Sequence, residues 1–335
     1  MLGFWFDSSF SLLFYLTMIY RVVELRELVF SPCFGDSHMT TVSPVSAADQ
    51  VRSAFDFTVD KFPLSGPDGM STPWYAMFRS DSGDVVGEGS VTDRYTPHQT
   101  EDVVALVDAC ESVFDEASQV KTHFRNGHYV SVAPSDDYRR SIYGSRDNIF
   151  PRLIIRGGYD RSAFNVTLGI YRDACQNLAM LRSVTETYQS IRHTSGLRFA
   201  MDELIAQFQT LKDGWQTLEN LVHGMQAAEV SMVDFLNQVY PEPDADAGQR
   251  AVTIHKNRTE KIFKRLQRER IKTGRPAIDS TFTVSAWEAY NAIQGFNQWD
   301  APRREGFKGE FDRILKASDN QAVRKAENLA LAAAA

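Results

Sequence analysis

Cysteine is scarce: Cys33, Cys110 and Cys175 are the three in 335 residues. So few thiols, so far apart, exclude a disulfide framework and a structural zinc site, and they fit a reducing compartment. No Gly-Lys-Ser/Thr loop occurs, and Gly87-Glu88-Gly89 lacks both a third glycine and a helix start behind it. A nucleotide-driven motor is therefore excluded, and neither a nucleotide nor another cofactor is expected. A uniform basic excess is also missing. Thirty-six Lys and Arg face 43 Asp and Glu, net −7, which rules out a histone-like coat protein. Hydrophobic residues at 43% and charged residues at 24% are globular values.

Long apolar runs are lacking too. Ser8 to Tyr20 is uncharged but short of the roughly 20 residues a membrane span needs, so a membrane partner is not expected. A signal peptide would need a basic start, yet the first cation is Arg21. Residues 1–39 read as an extension upstream of a natural start at Met39. A peripheral anchor and a buried core helix are the other readings.

From about residue 40 to 190 the pattern is mixed. Val85–Val91 is β-prone, and Thr100–Phe114 reads as a helix capped by Thr100, with Val103, Leu106, Val107, Cys110 and Phe114 on one stripe. Lys121–Arg125 and His128–Val132 flank Asn126-Gly127, the signature of a two-residue type I′ hairpin. That turn pairs Arg125 with His128 and puts His123, Arg125 and His128 on one face. Arg152–Arg156 and Phe164–Tyr171 form a second ribbon around Gly157-Gly158, with Phe164, Val166, Leu168 and Ile170 facing inward and the alternate residues polar. Arg172–Leu181 is expected to turn into a helix.

The second half is helical. Met201, Leu204, Phe208, Leu211, Trp215, Leu218, Val222 and Met225 step by three and four, an a/d seam within residues 191–240 that suits a helix bundle or a homo-oligomer. Ser231 and Asp234 cap a short helix that ends at Tyr240. Residues 241–249 are an acidic linker, and 250–335 form a helical region. Its first part, 250–275, holds ten Lys or Arg against two Glu and so leaves the rest of the chain at −15.

Four segments resemble a known family. Asp93-Arg94-Tyr95-Thr96-Pro97-His98-Gln99 resembles the D-R-Y-x-P-x-Q element of the phage/plasmid-like proteins catalogued as domain of unknown function 932. Cys175-Gln176-Asn177 is similar to its C-x-N element, and Ile191-Arg192-His193-Thr194 to its I-R-H-T. Trp287-Glu288-Ala289-Tyr290-Asn291-Ala292 is similar to its W-D-A-F-N-A. Order and spacing agree from about residue 50 to 320. Thr283-Val284-Ser285 stands where the family has Gly-Asn-Thr, and Gly157-Gly158-Tyr159-Asp160 replaces a Ser/His-rich turn. The resemblance implies a phage or plasmid protein acting in the bacterial cytoplasm, with no established activity. The β-β-β-α order is also similar to the core of phage single-strand annealing proteins, an analogy of element order.

Several chemistries can be weighed on the residues. Cys175 with His193 could form a thiol–imidazole pair, but no third orienting residue stands at a recognisable spacing, and a packed cysteine is the simpler reading. His123 and His128 lack a third metal ligand, so no metal is expected. Nucleic-acid binding has more behind it. Arg152, Arg156, Arg161 and Arg172 with Tyr159 and Tyr171 crowd the second ribbon, and Lys121, Arg125 and His128 lie on the neighbouring hairpin. Arginines hold phosphates and aromatics stack on unpaired bases. The basic helix adds Lys256, Arg258, Lys261, Lys264, Arg265 and Arg268, either as phosphate contacts or as a solvated face paired with the chain's own acids.

The expectation is an α+β fold, an antiparallel sheet with packed helices, followed by a helical C-terminal region. The expected function is non-catalytic binding of single-stranded DNA in replication or recombination. The alternatives are a host-interaction or counter-defence protein acting through its helical half, and a cryptic hydrolase.

Overall fold

The computed structural model describes residues 45–335 apart from 115–116, 145, 160–161, 182–183, 185–186 and 303–308. The expectations for residues 1–39 and for Arg161 lie outside the described residues. The chain divides into two units. One holds residues 1–44 with Asp279–Thr281, and the other holds the remainder and everything below.

A short helix α1 (Ala47–Ala54) leads into a three-stranded antiparallel sheet, β1 (Val59–Ser65), β2 (Ser71–Arg79) and β3 (Val85–Val91). Helix α2 (Thr100–Val113) follows. Its stripe Val103, Leu106, Val107, Cys110 and Phe114 is wholly buried, as the periodicity predicts. The cap differs from expectation: the helix starts behind Gln99, whose N–H donates to the Asp102 carboxylate at 2.7 Å. Thr100 instead donates to the Phe55 carbonyl.

The larger sheet runs β10-β8-β7-β5-β4, with β6 beside β7 and β9 beside β8, antiparallel at every pairing. Its strands are β4 (Ala117–Phe124), β5 (Gly127–Pro134), β6 (Arg140–Ser141), β7 (Asn148–Gly158), β8 (Phe164–Arg172), β9 (Asn177–Ala179) and β10 (Tyr188–Ile191). With the helices this makes an α+β fold. One face carries Val130, Val132, Leu153, Ile155, Val166 and Leu168, all fully buried, and α2 covers it. Apolar side chains at every second position put that whole set on one side, which drives sheet-on-helix packing.

The other face was expected to be polar and open. It is not. Ile154 packs with Leu178, Met180 and Ile314, and Thr167 and Gly169 are buried. The expected helix after Arg172 is absent. A turn with Gln176 in the left-handed region (φ 57°) reverses the chain into β9, which extends the sheet.

The heptad seam forms two helices, α3 (Leu197–Ala206) and α4 (Phe208–Ala227), separated at Gln207. Every seam residue from Met201 to Met225 is buried within the chain, none more than 4% exposed. The seam is therefore core, and self-association through it is corrected: its apolar stripe is already covered by the chain's own helices. Beyond it come β11 (Glu229–Ser231), α5 (Met232–Val239, capped by Ser231 as expected), α6 (Gln249–Lys272), β12 (Thr283–Ser285), α7 (Ala286–Gly295), α8 (Glu310–Ser318) and α9 (Gln321–Ala334). Trp287 and Tyr290 lie in the core of this half. Among the described residues no helix is long and apolar enough to cross a membrane.

Candidate functional site

Eight of the nine residues expected to form one nucleic-acid surface are described, and those eight do not share a surface. Arg172 is interior: Asp147 takes its Nε and Nη2 at 2.9 and 2.7 Å, and Glu269 takes Nη1 at 3.0 Å. Strand alternation sends it to the apolar side, where only carboxylates can hold it. Tyr159 is also interior. It stacks on His98 at 4.4 Å between centroids and donates to the His98 carbonyl at 2.7 Å. Lys121 and Arg125 are partly exposed but paired with Glu310 and Asp312 of α8, at 2.9 and 3.2 Å. Arg152 is 4% exposed and lies over the half-buried Tyr171, and Arg156 lies over Tyr129. The reading of this set as an open phosphate track is corrected on these grounds.

His128 is displaced by register. The hairpin pairs Phe124 with His128 and His123 with Tyr129, one residue off the two-residue turn. A one-residue slip sends each side chain to the opposite face. Only Asn126 takes a positive φ (53°), while Gly127 is part of β5 and opposite Gly158. A Cβ on Gly127 would lie 2.3 Å from the Gly157 carbonyl, so this glycine serves close strand approach rather than the turn.

The slip places His128 in a buried row of three imidazoles. Nε2 of His98 lies 3.0 Å from Nδ1 of His128, and Nδ1 of His98 lies 2.9 Å from Nε2 of His193. His193 reaches the Ser162 carbonyl through Nδ1 (3.1 Å), and His128 reaches the Thr100 hydroxyl through Nε2 (3.3 Å). Tyr95 stacks on His193. Burial holds His98 well below the usual histidine range, with His128 and His193 adding to the effect, and burial brings His128 down to about 3. His98 uses its two nitrogens on two different partners, so the three rings form a chain and not a chelate. No group of His, Cys, Asp and Glu among the described residues is arranged to hold a metal ion. His98 was not singled out in the sequence; its place between two motif residues, Tyr95 and Gln99, was the available signal.

The other motif residues hold elements together. Asn177 donates to the Asn291 carbonyl (3.0 Å) and accepts from Trp299 Nε1 (3.0 Å), and Asn291 donates to the Trp287 carbonyl. Trp287 itself is fully buried. Gln99 exchanges both of its amide atoms with the Val59 backbone. Asp93, Arg94 and Arg192 are exposed. Cys175 is apart from His193, whose nitrogens both have other partners. Burial raises the Cys175 thiol to about 12, so it carries no thiolate at neutral pH.

Helix α6 has two kinds of cation. Arg265 pairs with Asp300 (2.6 Å) and Glu269 (3.1 Å), Arg270 pairs with Glu288 (2.8 Å), and Arg258 lies over the Tyr240 ring. Arg265 and Arg258 are thereby corrected from surface contacts to packed residues. The outer face is different. Lys256, Lys261, Lys264, Arg268 and Lys272 are exposed, the last four spaced 3, 4 and 4 along roughly 16 Å of helix. Glu260 lies 3.8 Å from Lys264, and Asp300 lies 4.0 Å from Arg268. Contacts that long, made by cations whose side chains are 57% and 70% exposed, neutralise little.

A family model described as Domain of unknown function (DUF932) matches residues 88–330. No curated protein and no solved structure matches the chain.

Proposed function

The chain belongs to the DUF932 family, and from that premise we propose that it is a phage- or plasmid-encoded accessory protein of the bacterial cytoplasm that holds single-stranded DNA without turnover chemistry. The observation that carries this reading is the outer face of α6, where Lys261, Lys264, Arg268 and Lys272 stand exposed in succession. Cations in a row contact phosphates and leave bases free, which suits a role in strand pairing during replication or recombination. The buried motif residues serve the scaffold, and Cys175 is not activated, so binding fits the molecule better than hydrolysis does.

The test is retention of a labelled single-stranded oligonucleotide at two salt concentrations. Four phosphate contacts give a slope near −0.7 per contact, so binding weakens about 50-fold between 50 and 200 mM salt. Replacing Lys261, Lys264 and Arg268 by Ala lowers the slope by about 2 and weakens all sequences alike. An absence of binding at 50 mM, or an unchanged slope in the variant, overturns the reading.

A protein partner is the second reading, a host-interaction or counter-defence role. Phe62, Met70 and Trp74 of the β1–β2 ribbon are 53%, 63% and 45% exposed, an apolar group of the kind found at interaction sites. This shifts the contact from the helical half to the small sheet.

A further inference from the structure

Ten large apolar side chains stand exposed among the described residues, and their distribution is uneven. Five belong to the small sheet and its first turn: Phe62, Leu64, Met70, Trp74 and Val85. Three more, Val252, Ile254 and Ile271, belong to α6. The two elements that leave apolar surface open are of opposite charge. Between Val59 and Val91 the chain has five Asp or Glu against two Lys or Arg, and between Gln249 and Lys272 it has nine Lys or Arg against two Glu.

Register explains the acidity of the open side of the sheet. Phe62 lies opposite Ala76, Asp60 opposite Phe78, and Phe78 opposite Val85, so Asp60, Phe62, Phe78 and Val85 share one side. Trp74, two positions from Ala76, alternates onto the same side. Phe62 and Phe78 meet there, 5.4 Å between ring centres. The reverse side holds Val59, Met77 and Val86 in the core. Both cations belong to that covered side. Lys61 lies opposite Met77 and donates to the Asp93 and Tyr95 carbonyls. Arg79 lies opposite Val59, over the Phe57 ring, and pairs with Asp81 at 2.6 Å. The open side is left with apolar groups and acids, and Asp84 is exposed at its rim. On α6 the pattern is the converse. Ile254 stands seven positions before Lys261 and Ile271 three after Arg268, so the helical period sets both beside the row of Lys261, Lys264, Arg268 and Lys272.

We propose that the open side of β1–β3 in one copy docks on the outer face of α6 in the next, a head-to-tail contact between copies of this chain. Like surfaces do not suit each other: two small sheets would set acid against acid, and two α6 helices cation against cation. Sheet against helix lets Phe62 and Trp74 cover the exposed isoleucines while Asp60 and Asp84 meet the cation row. Aromatic anchors inside a charged rim are the usual makings of a specific contact. Because the two surfaces differ, every pair leaves one of each unused, and association continues beyond a dimer. The proposal does not rest on strand binding, although a strand and a neighbouring copy would contend for Lys264 and Arg268. It gives the small-sheet patch another copy of the chain as its occupant instead of a host protein.

The experiment is sedimentation velocity of the full chain over a range of concentrations, at about 50 and about 500 mM salt. Species larger than a dimer are expected at low salt. Association should weaken at least tenfold at high salt, where the screening length falls to roughly 4 Å. Phe62→Ser with Trp74→Ser should remove the sheet surface, and Lys264→Glu with Arg268→Glu the helix surface, each leaving a monomer. Mixed in equal amounts, the two variants should form a dimer and go no further, since one retains only its helix surface and the other only its sheet surface. Recovery on mixing also shows that loss of association in each variant alone was not loss of the fold. Should the serine variant fail to fold, Asp60→Lys with Asp84→Lys, on exposed positions, takes its place in the mixture. A chain that stays monomeric at low salt, association that salt leaves unchanged, variants that assemble as the parent does, or a mixture that remains monomeric would each overturn the proposal.

Discussion

His98 and His193 share one proton at 2.9 Å, Nδ1 to Nε2, and that single contact joins two segments 95 residues apart. The protons along the row are fixed from one end. The Ser162 carbonyl can only accept, so His193 Nδ1 carries hydrogen and its Nε2 accepts from His98. His98 Nε2 must then accept from His128 Nδ1. A row of neutral rings satisfies both ring–ring links, whereas a proton added at His98 Nε2 or His193 Nε2 sets two N–H groups against each other.

Acid should therefore destabilise the fold early. His98 and His128 have folded values below the unfolded value of about 6.5. The unfolded chain thus takes up protons that the folded chain refuses, and stability falls as pH drops below about 6.5 until the folded groups titrate, near 3 for His128. Two such groups give a slope of up to about 2.7 kcal/mol per pH unit. Urea denaturation at pH 7.5, 6 and 5 measures this. Equal midpoints at all three would show that the rings are charged or solvated.

Arg172 separates a packed role from a surface one. Bonded to Asp147 and Glu269 with 2% exposure, it holds two carboxylates that burial would otherwise penalise. Arg172→Ala leaves Asp147 without its cation and Glu269 with Arg265 alone, and should cost about 3–5 kcal/mol. Lys264→Ala, on an exposed position, should stay within about 0.5 kcal/mol. Chemical denaturation of the two variants side by side checks the difference.

Gly127 tests the hairpin register. In a two-residue turn Gly127→Ala would be strained by its positive φ alone. In the observed pairing a Cβ meets the Gly157 carbonyl at 2.3 Å. Backbone cannot step aside cheaply, so the strands must separate, at a cost of about 1–3 kcal/mol. Slipping of β5 would also expose His128. Gly127→Ala is expected to lower the melting temperature and to flatten the acid dependence together; loss of one without the other would argue against the coupling.

What could be read from the sequence follows from how local each signal is. The α2 stripe, the strand alternation of Phe164–Ile170 and the Ser231 cap depend on neighbours within a few residues, and the structure has them where the pattern put them. The fate of the cations depended on distant carboxylates. Glu269 is 97 residues from Arg172, and Glu310 is 189 from Lys121, so alternation marked a polar face without showing what would cover it. Asn126-Gly127 misled for a related reason: the glycine answers to β7, which no local pattern contains.

Cys175 supplies the sharpest check on chemistry. Its thiol is raised to about 12 by burial, with Glu269 adding to that and Arg172 opposing it, and Cys110 is raised to about 12 in the helical stripe of α2. Alkylation proceeds through thiolate, whose fraction at pH 8 would then be on the order of one in ten thousand. Iodoacetamide at pH 8 should leave both residues unmodified in the folded chain and modify both in urea, read by mass spectrometry of their peptides. Asn177, the first residue of β9, stands two positions after Cys175, so labelling of Cys175 also reports whether the turn into β9 is closed. Rapid modification of Cys175 in the folded protein would mean an accessible thiolate, and would return nucleophilic chemistry to the molecule.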